Sequence, residues 1–174
     1  ILTTRSTVER QVTVNWKMTD TTNMFKFYVY RDTTATALTL IDSVGSSSRS
    51  YVDNNVQTST KYFYRIRLEN KQYVLGDYSN EGSVSVLNEP KLNSPTNLSV
   101  NQSLTPVLKY GKTRYSQQYK VQLSTSKNFT TNVIDQTISG DSLKVVSALN
   151  YNSYYYWRVR SVDSLGYSKW SDTF

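Results

Sequence analysis

The 174-residue chain contains no histidine and no cysteine. Imidazole proton transfer, thiolate attack, Ser-His-Asp relays and the usual His/Cys zinc sets are therefore closed to it. Carboxylates remain, and glycoside hydrolysis needs a pair of them facing each other across a cleft. The glutamates are Glu9, Glu69, Glu81 and Glu89, widely separated along the chain. Asp53, Asp77, Asp141 and Asp172 lie among turn-forming residues, where a carboxylate caps its own backbone. Asp53-Asn54-Asn55 is the nearest approach to a calcium loop, and it reads as a turn. No Gly-rich phosphate loop occurs among the 6 glycines. The reading is a non-enzyme, with no catalytic, cofactor-binding or metal-ligating residue.

The richer pattern is aromatic and cationic. Tyr62-Phe63-Tyr64-Arg65-Ile66-Arg67 recurs as Tyr155-Tyr156-Trp157-Arg158-Val159-Arg160, at an offset of 155 − 62 = 93 residues. That spacing divides the chain into two copies of one small domain. Val12, Val14 and Trp16 alternate with Thr13 and Asn15, and Phe25, Phe27 and Val29 alternate with Lys26, Tyr28 and Tyr30. Tyr119, Val121 and Leu123 alternate with Gln118, Lys120 and Gln122 in the second copy. Period-2 runs separated by turn residues, with no sustained helical period, predict an all-β chain of two sandwiches of about seven strands each. The expected boundaries are residues 1–88 for the first domain, 89–95 for a linker and 96–174 for the second. Pro90 and Pro95 carry the linker assignment, because proline donates nothing to a strand ladder. The last strand reads as short: 174 − 166 = 8 residues follow Gly166, against 87 − 76 = 11 from Gly76 to Leu87. With Ile1 close to the first strand as well, the chain is read as a trimmed piece whose last edge is unfinished.

These residues resemble tandem fibronectin type III domains, over nearly the whole length. An apolar residue lies six positions before a Tyr in each copy, Val56 before Tyr62 and Leu149 before Tyr155. The resemblance implies that Tyr62 and Tyr155 are tyrosine corners, whose hydroxyls bond nearby backbone. Trp16 matches the strand B tryptophan, and Tyr110 takes its place in the second copy. Thr105-Pro106-Val107-Leu108-Lys109-Tyr110 and Gln122-Leu123-Ser124-Thr125-Ser126-Lys127-Asn128-Phe129 are similar to bacterial surface versions of the module. No Arg-Gly-Asp is present, so an integrin-binding role does not carry over.

Alternation also predicts a contact face. With Tyr64, Ile66, Phe27 and Val29 inside, Phe63, Arg65, Arg67, Tyr28 and Tyr30 point out. In the second copy the same face carries Lys120, Tyr156, Arg158 and Arg160, with Trp170 beside them. Tyr167-Ser168-Lys169-Trp170-Ser171 resembles the Trp-Ser motif of cytokine-receptor modules, in which Trp and Arg side chains interleave. Such rows either form a cation–π ladder over the strands or present a platform to a partner.

A formal charge of +7 arises from 20 Lys+Arg against 13 Asp+Glu. No run of five or more cations accompanies it, so nucleic acid is not expected as a partner. No stretch approaches the roughly 18 apolar residues of a membrane helix, so no membrane insertion is expected. Asn97-Leu98-Ser99, Asn101-Gln102-Ser103 and Asn128-Phe129-Thr130 are glycosylation-type sequons, at a frequency expected by chance in so Asn- and Ser-rich a chain. The resemblance implies a secreted or cell-surface, non-catalytic structural or binding pair within a larger protein. The expected partners are other domains of that protein, copies of itself in a fibre, or surface polysaccharide. The alternative is an accessory polysaccharide-binding module of a secreted glycoside hydrolase.

Overall fold

The computed structural model describes residues 2–7, as backbone, and residues 10–174. The expectations that rest on Ile1 and Glu9 lie outside the described residues. The chain divides into two compact units, Ile1–Val86 and Leu87–Phe174. Unit 1 contains β1 (Leu2–Thr7), β2 (Gln11–Trp16), β3 (Met24–Asp32), β4 (Leu40–Gly45), β5 (Ser50–Asp53), β6 (Thr60–Asn70), β7 (Leu75–Tyr78) and β8 (Gly82–Val86). Unit 2 contains β9 (Leu92–Ser94), β10 (Val107–Tyr110), β11 (Gln118–Ser124), β12 (Asn132–Ile138), β13 (Ser142–Lys144), β14 (Tyr156–Asp163) and β15 (Gly166–Tyr167).

In unit 1 one sheet has the order β1-β2-β5 and the other β4-β3-β6-β7, with β8 also paired to β6. In unit 2 the orders are β13-β10-β9 and β12-β11-β14-β15. All pairings are antiparallel, so each unit is a fibronectin type III-like β-sandwich.

Each core is the sum of the inward alternate positions. Val12, Val14 and Trp16 of β2 face Phe27 and Val29 of β3 and Tyr62, Tyr64 and Ile66 of β6, all buried. In unit 2 the cluster comprises Leu92, Leu108, Tyr110, Tyr119, Val121, Leu123, Val145, Trp157 and Val159. Trp16 meets Phe27 edge-on at 5.3 Å, and its counterpart Tyr110 meets Tyr119 at 5.1 Å. The exchange of indole for phenol thus preserves an aromatic pair at the same place. Tyr62 accepts a hydrogen bond from Gln57 N at 2.9 Å, and Tyr155 accepts one from Asn150 N at 3.0 Å. In both copies one phenol closes the loop five residues upstream.

Two expectations are corrected. Phe25 does not join the inward row: it is 41% exposed, and Met24 is buried instead. The register between β3 and β6 slips between Met24 and Lys26, and a bulge of that kind turns every residue before it to the opposite face. The stretch 89–95 is not simply a linker. Leu92–Ser94 is a strand, with Leu92 opposite Tyr110, and Leu92 is buried in the second core. Pro90 and Pro95 flank this strand without entering its ladder, so both prolines are compatible with it.

Asp53 combines a turn role with a core role. Its Oδ1 accepts from Asn55 N at 2.9 Å, which makes the expected turn. Its Oδ2 accepts from Tyr64 OH and from Arg31 Nη1, both at 2.8 Å, and Asp53 is only 2% exposed. Its oxygens are committed to protein donors, which fits the turn reading and leaves little for a calcium ion. Burial, and then the hydrogen bond to Asp53, push the Tyr64 phenol far above its ordinary value. Arg31 is itself mostly buried, so removing its partner strands a charge. Asp53→Asn is expected to destabilise unit 1 by about 3 kcal/mol, and adding Arg31→Met to recover part of that loss, in urea unfolding followed by circular dichroism.

The turn Thr96–Ser99 is closed by Ser99 N donating to Thr96 O at 3.2 Å. Leu98, its third residue, has φ 60° and is 90% exposed, a position that suits glycine. No packing opposes its replacement. Leu98→Gly is expected to stabilise unit 2 by about 1 kcal/mol in the same measurement.

Candidate functional site

The outer face of each larger sheet is organised by serine. In unit 2 the segment after β15 runs beside β14 to its end, with three residues for every two of β14. Ser168 pairs with Ser161, Ser171 with Val159 and Phe174 with Trp157. At the first two stations the pairing is not purely backbone. Ser168 N donates to Ser161 O at 3.0 Å, and Ser161 N donates to Ser168 Oγ at 2.9 Å. Ser171 N donates to Val159 O at 2.8 Å, and Val159 N donates to Ser171 Oγ at 3.0 Å. Each hydroxyl then donates onward, to Lys169 O and to Asp172 O, both at 2.7 Å. The side-chain oxygen replaces the backbone carbonyl, which frees the chain to bulge by one residue each time.

Unit 1 has the same device. Ser79 N donates to Ile66 O at 2.8 Å, Ile66 N donates to Ser79 Oγ at 3.0 Å, and Ser79 Oγ donates to Asn80 O at 2.8 Å. All three serines follow an aromatic residue: Tyr78-Ser79, Tyr167-Ser168 and Trp170-Ser171. With Ser168 and Ser171 buried against β14, each preceding ring is turned outward over the arginines.

In unit 2 the resulting stack is continuous. The Arg158 guanidinium lies 3.9 Å from the Phe129 ring and 4.3 Å from Trp170. The Arg160 guanidinium lies 4.5 Å from Trp170 and 3.8 Å from Tyr167. The order Phe129, Arg158, Trp170, Arg160, Tyr167 alternates ring and cation. Arg158 Nε donates to Gln122 Oε1 at 2.8 Å, and Gln122 Nε2 donates to Asp135 Oδ2 at 3.1 Å. Asp135 also pairs with Lys120 at 2.9 Å. Burial disfavours the Asp135 carboxylate, but the Lys120 and Gln122 hydrogen bonds and the Lys120 and Arg160 charges outweigh it and hold the carboxyl below its ordinary value. Burial, then the neighbouring Arg160 charge, lower Arg158 from its ordinary value against the opposing pull of Asp135.

In unit 1 a single ring does the same task. Tyr78 lies 4.3 Å from the Arg65 guanidinium and 4.6 Å from that of Arg67, and Arg67 Nε donates to Gly76 O at 2.9 Å. Tyr30 meets Tyr78 edge-on at 5.0 Å. Lys26 sits 4.8 Å from the Tyr28 ring and pairs with Glu69 at 3.6 Å, while Tyr28 OH donates to Glu69 at 3.0 Å.

The structure brings Arg65 and Arg67 together under Tyr78, and Arg158, Arg160 and Trp170 together beside Lys120. Tyr28 lies alongside the first set. Tyr30 is corrected: it is buried, 8% exposed, because Tyr78 covers it. Phe63 stands apart under Lys61 at 5.1 Å, and Tyr156 lies opposite Ser124 outside the stack. Beyond β15 the chain stays beside β14 as far as Trp157, which exchanges backbone hydrogen bonds with Phe174, and the Phe174 ring packs edge-on against Trp157 at 6.2 Å. Sequence reasoning missed Tyr78, Phe129, Tyr167 and the serines. The repeated aromatic-Ser dipeptide is the signal for Tyr78, Tyr167 and the serines, and Phe129, followed by Thr130, carries no such signal.

Other chemistry is sparse. Among the described residues no group of three or more Asp or Glu could hold a metal. Glu69 serves Lys26 and Tyr28, and Glu81 accepts from Ala37 N at 2.8 Å. A cleft of about 310 Å³ lined by Asn93, Lys109, Tyr110, Asp141 and Ser142 contains a single carboxylate. No helix of the described chain is long and apolar enough to cross a membrane.

No family model matches the chain, and no curated protein matches it either. Among solved structures, the FN1-FN3 domains of chicken CNTN1 match over 100% of this chain and 62% of theirs, at 17% identity and a TM-score of 0.52. The chain therefore spans less than two thirds of that structure's length. Two structures of the pectate lyase Pel3 from Pectobacterium carotovorum match over 49% and 60% of this chain, 26% and 29% of theirs, at 21% and 17% identity and TM-scores of 0.42 and 0.43. At these identities the likeness concerns fold, and the fold that the chain shares with the CNTN1 domains is the fibronectin type III fold in tandem.

Proposed function

We propose that the chain is a non-catalytic structural and binding pair within a larger secreted or cell-surface protein, acting as a spacer, in adhesion or in fibre contacts. The observation that carries this reading is the repeated arginine–aromatic face. It occurs on both units, on the same sheet and from the same serine device. Arg65, Arg67, Arg158 and Arg160 have no carboxylate partner among the described ion pairs, which are Lys26–Glu69, Arg31–Asp53 and Lys120–Asp135. Partly buried cations held by rings rather than by acids are pre-organised donors, and Arg and Trp are common anchors at interfaces. The absence of His and Cys from the sequence and the structural employment of Glu69 and Glu81 support a non-catalytic role.

The same face favours a second reading, an accessory module that holds polysaccharide near a separate catalytic domain. Light scattering after gel filtration and negative-stain microscopy test self-association, and pull-down on a panel of insoluble polysaccharides tests glycan binding. Retention or assembly that falls about thirtyfold in Trp170→Ala is expected, since a central aromatic anchor is worth roughly 2 kcal/mol. An inert monomer retained on nothing would remove the fibre and glycan-binding readings and leave the spacer.

A further inference from the structure

We propose that the ligand of these faces is an acidic polysaccharide, whose uronate carboxylates are taken by the free edges of the stacked arginines. The inference rests on the binding role proposed above and adds the chemical class.

The stacks leave a specific remainder. Rings cover the faces of the guanidiniums, so the N–H edges are the part still able to bond. Arg158 and Arg67 each commit Nε inward, to Gln122 and Gly76, which points the terminal nitrogens away from that bond. Arg160 Nε is buried and has no acceptor among the described residues, so its terminal nitrogens are the ones left for a ligand. A planar fork of that kind matches a planar carboxylate by two parallel hydrogen bonds.

Charge points the same way. On the unit 2 face Lys120, Arg158 and Arg160 meet one carboxylate, Asp135; on the unit 1 face Lys26, Lys61, Arg65 and Arg67 stand against Glu69 and Asp32. Each face therefore has an excess of cations. Successive cations on one strand are two residues apart, about 7 Å, which suits acid groups recurring along a polymer. The rings are already engaged with cations, which leaves little aromatic surface for stacking nucleic-acid bases. The centre of the face is charged rather than apolar, unlike the desolvated centre of a protein interface.

The test measures affinity of the full chain for polygalacturonate by affinity electrophoresis at fixed ionic strength. Fully methyl-esterified polygalacturonate, poly-glutamate and duplex DNA serve as competing probes. Replacing Arg65, Arg67, Arg158 and Arg160 by Gln is expected to weaken binding at least about tenfold, because charge-assisted bidentate bonds are lost. The charge-matched change of the exposed Lys17, Lys71, Lys112 and Lys127 to Gln is expected to weaken it no more than about twofold, since distant surface charges are screened. Arg→Lys at the four ladder positions keeps the charge without the fork. It is expected to lose part of the affinity, and it provides the second variant should the Gln set fail to fold by circular dichroism. Equal loss in the ladder and control sets, or full affinity with Arg→Lys, overturns the inference. Equal binding of the methyl ester overturns it while leaving a glycan-binding role standing, and preferential binding of poly-glutamate or DNA assigns another partner class. No binding of any glycan, in a chain that also fails to self-associate, takes down the binding role itself.

Discussion

The outer faces of both units depend on one substitution in the hydrogen-bond ladder, a seryl hydroxyl in place of a backbone carbonyl. An ordinary antiparallel pair at Ser171 would take both bonds from Val159 with backbone atoms, and the strands would then advance one for one. With Oγ accepting from Val159 N, the local backbone advances three residues while β14 advances two. That mismatch is what sets Trp170 between Arg158 and Arg160 instead of leaving it to follow a regular alternation. The same logic at Ser79 sets Tyr78 over Arg65 and Arg67. The arginines need this cover. Guanidiniums two residues apart on one strand repel each other, and the rings against them offset part of that repulsion with contacts worth about 0.5–1 kcal/mol each.

The cores solve a different problem, how units of about 90 residues stay folded without a disulfide. Large buried aromatics supply much of the apolar burial, and in each unit their polar ends are handled individually. Tyr62 and Tyr155 close a loop, Tyr64 binds Asp53, and Tyr119 accepts from Thr113 N at 2.8 Å. The exceptions are Trp16 Nε1 and Tyr110 OH, which are buried without a partner among the described residues, at equivalent places in the two copies. Both sit in the strand B slot, where ring volume is at a premium and a tight aromatic pair offsets the unmet donor. That the same defect survives an exchange of Trp for Tyr argues that the slot selects for size and flatness.

The inner half of this architecture was legible in the sequence because it obeys period 2. Tyr64 and Ile66 are inside and Arg65 and Arg67 outside, as alternation requires. Legibility fails where one residue breaks the count. The slip at Met24/Lys26 sends Phe25 outward, and the 3:2 advance after Gly166 takes that segment out of simple alternation. Tyr30 obeys alternation and is nonetheless buried, because the ring that covers it comes from a strand 48 residues later (78 − 30). Phe129 enters the stack from a loop, with φ 55°, which no periodic pattern announces. The same is true of Leu92–Ser94, whose strand character comes from the core position awaiting Leu92 rather than from its flanking prolines.

The structural role of the ladders and the proposed binding role are therefore not rivals for the same atoms. A ring against a guanidinium uses the π face of the cation and leaves its in-plane N–H groups. Pairing Arg158 or Arg160 with an acid of the same sheet would instead have consumed those groups and neutralised the charge. Asp135 is bound to Lys120 and Gln122, on β12, with β11 between it and the arginines. Stacking thus fixes the side chains, limits the entropy they would lose to a ligand, and keeps both their charge and their donors available. A face built this way contributes to stability whether or not anything is bound to it, which is why its geometry could be duplicated with the scaffold in both units.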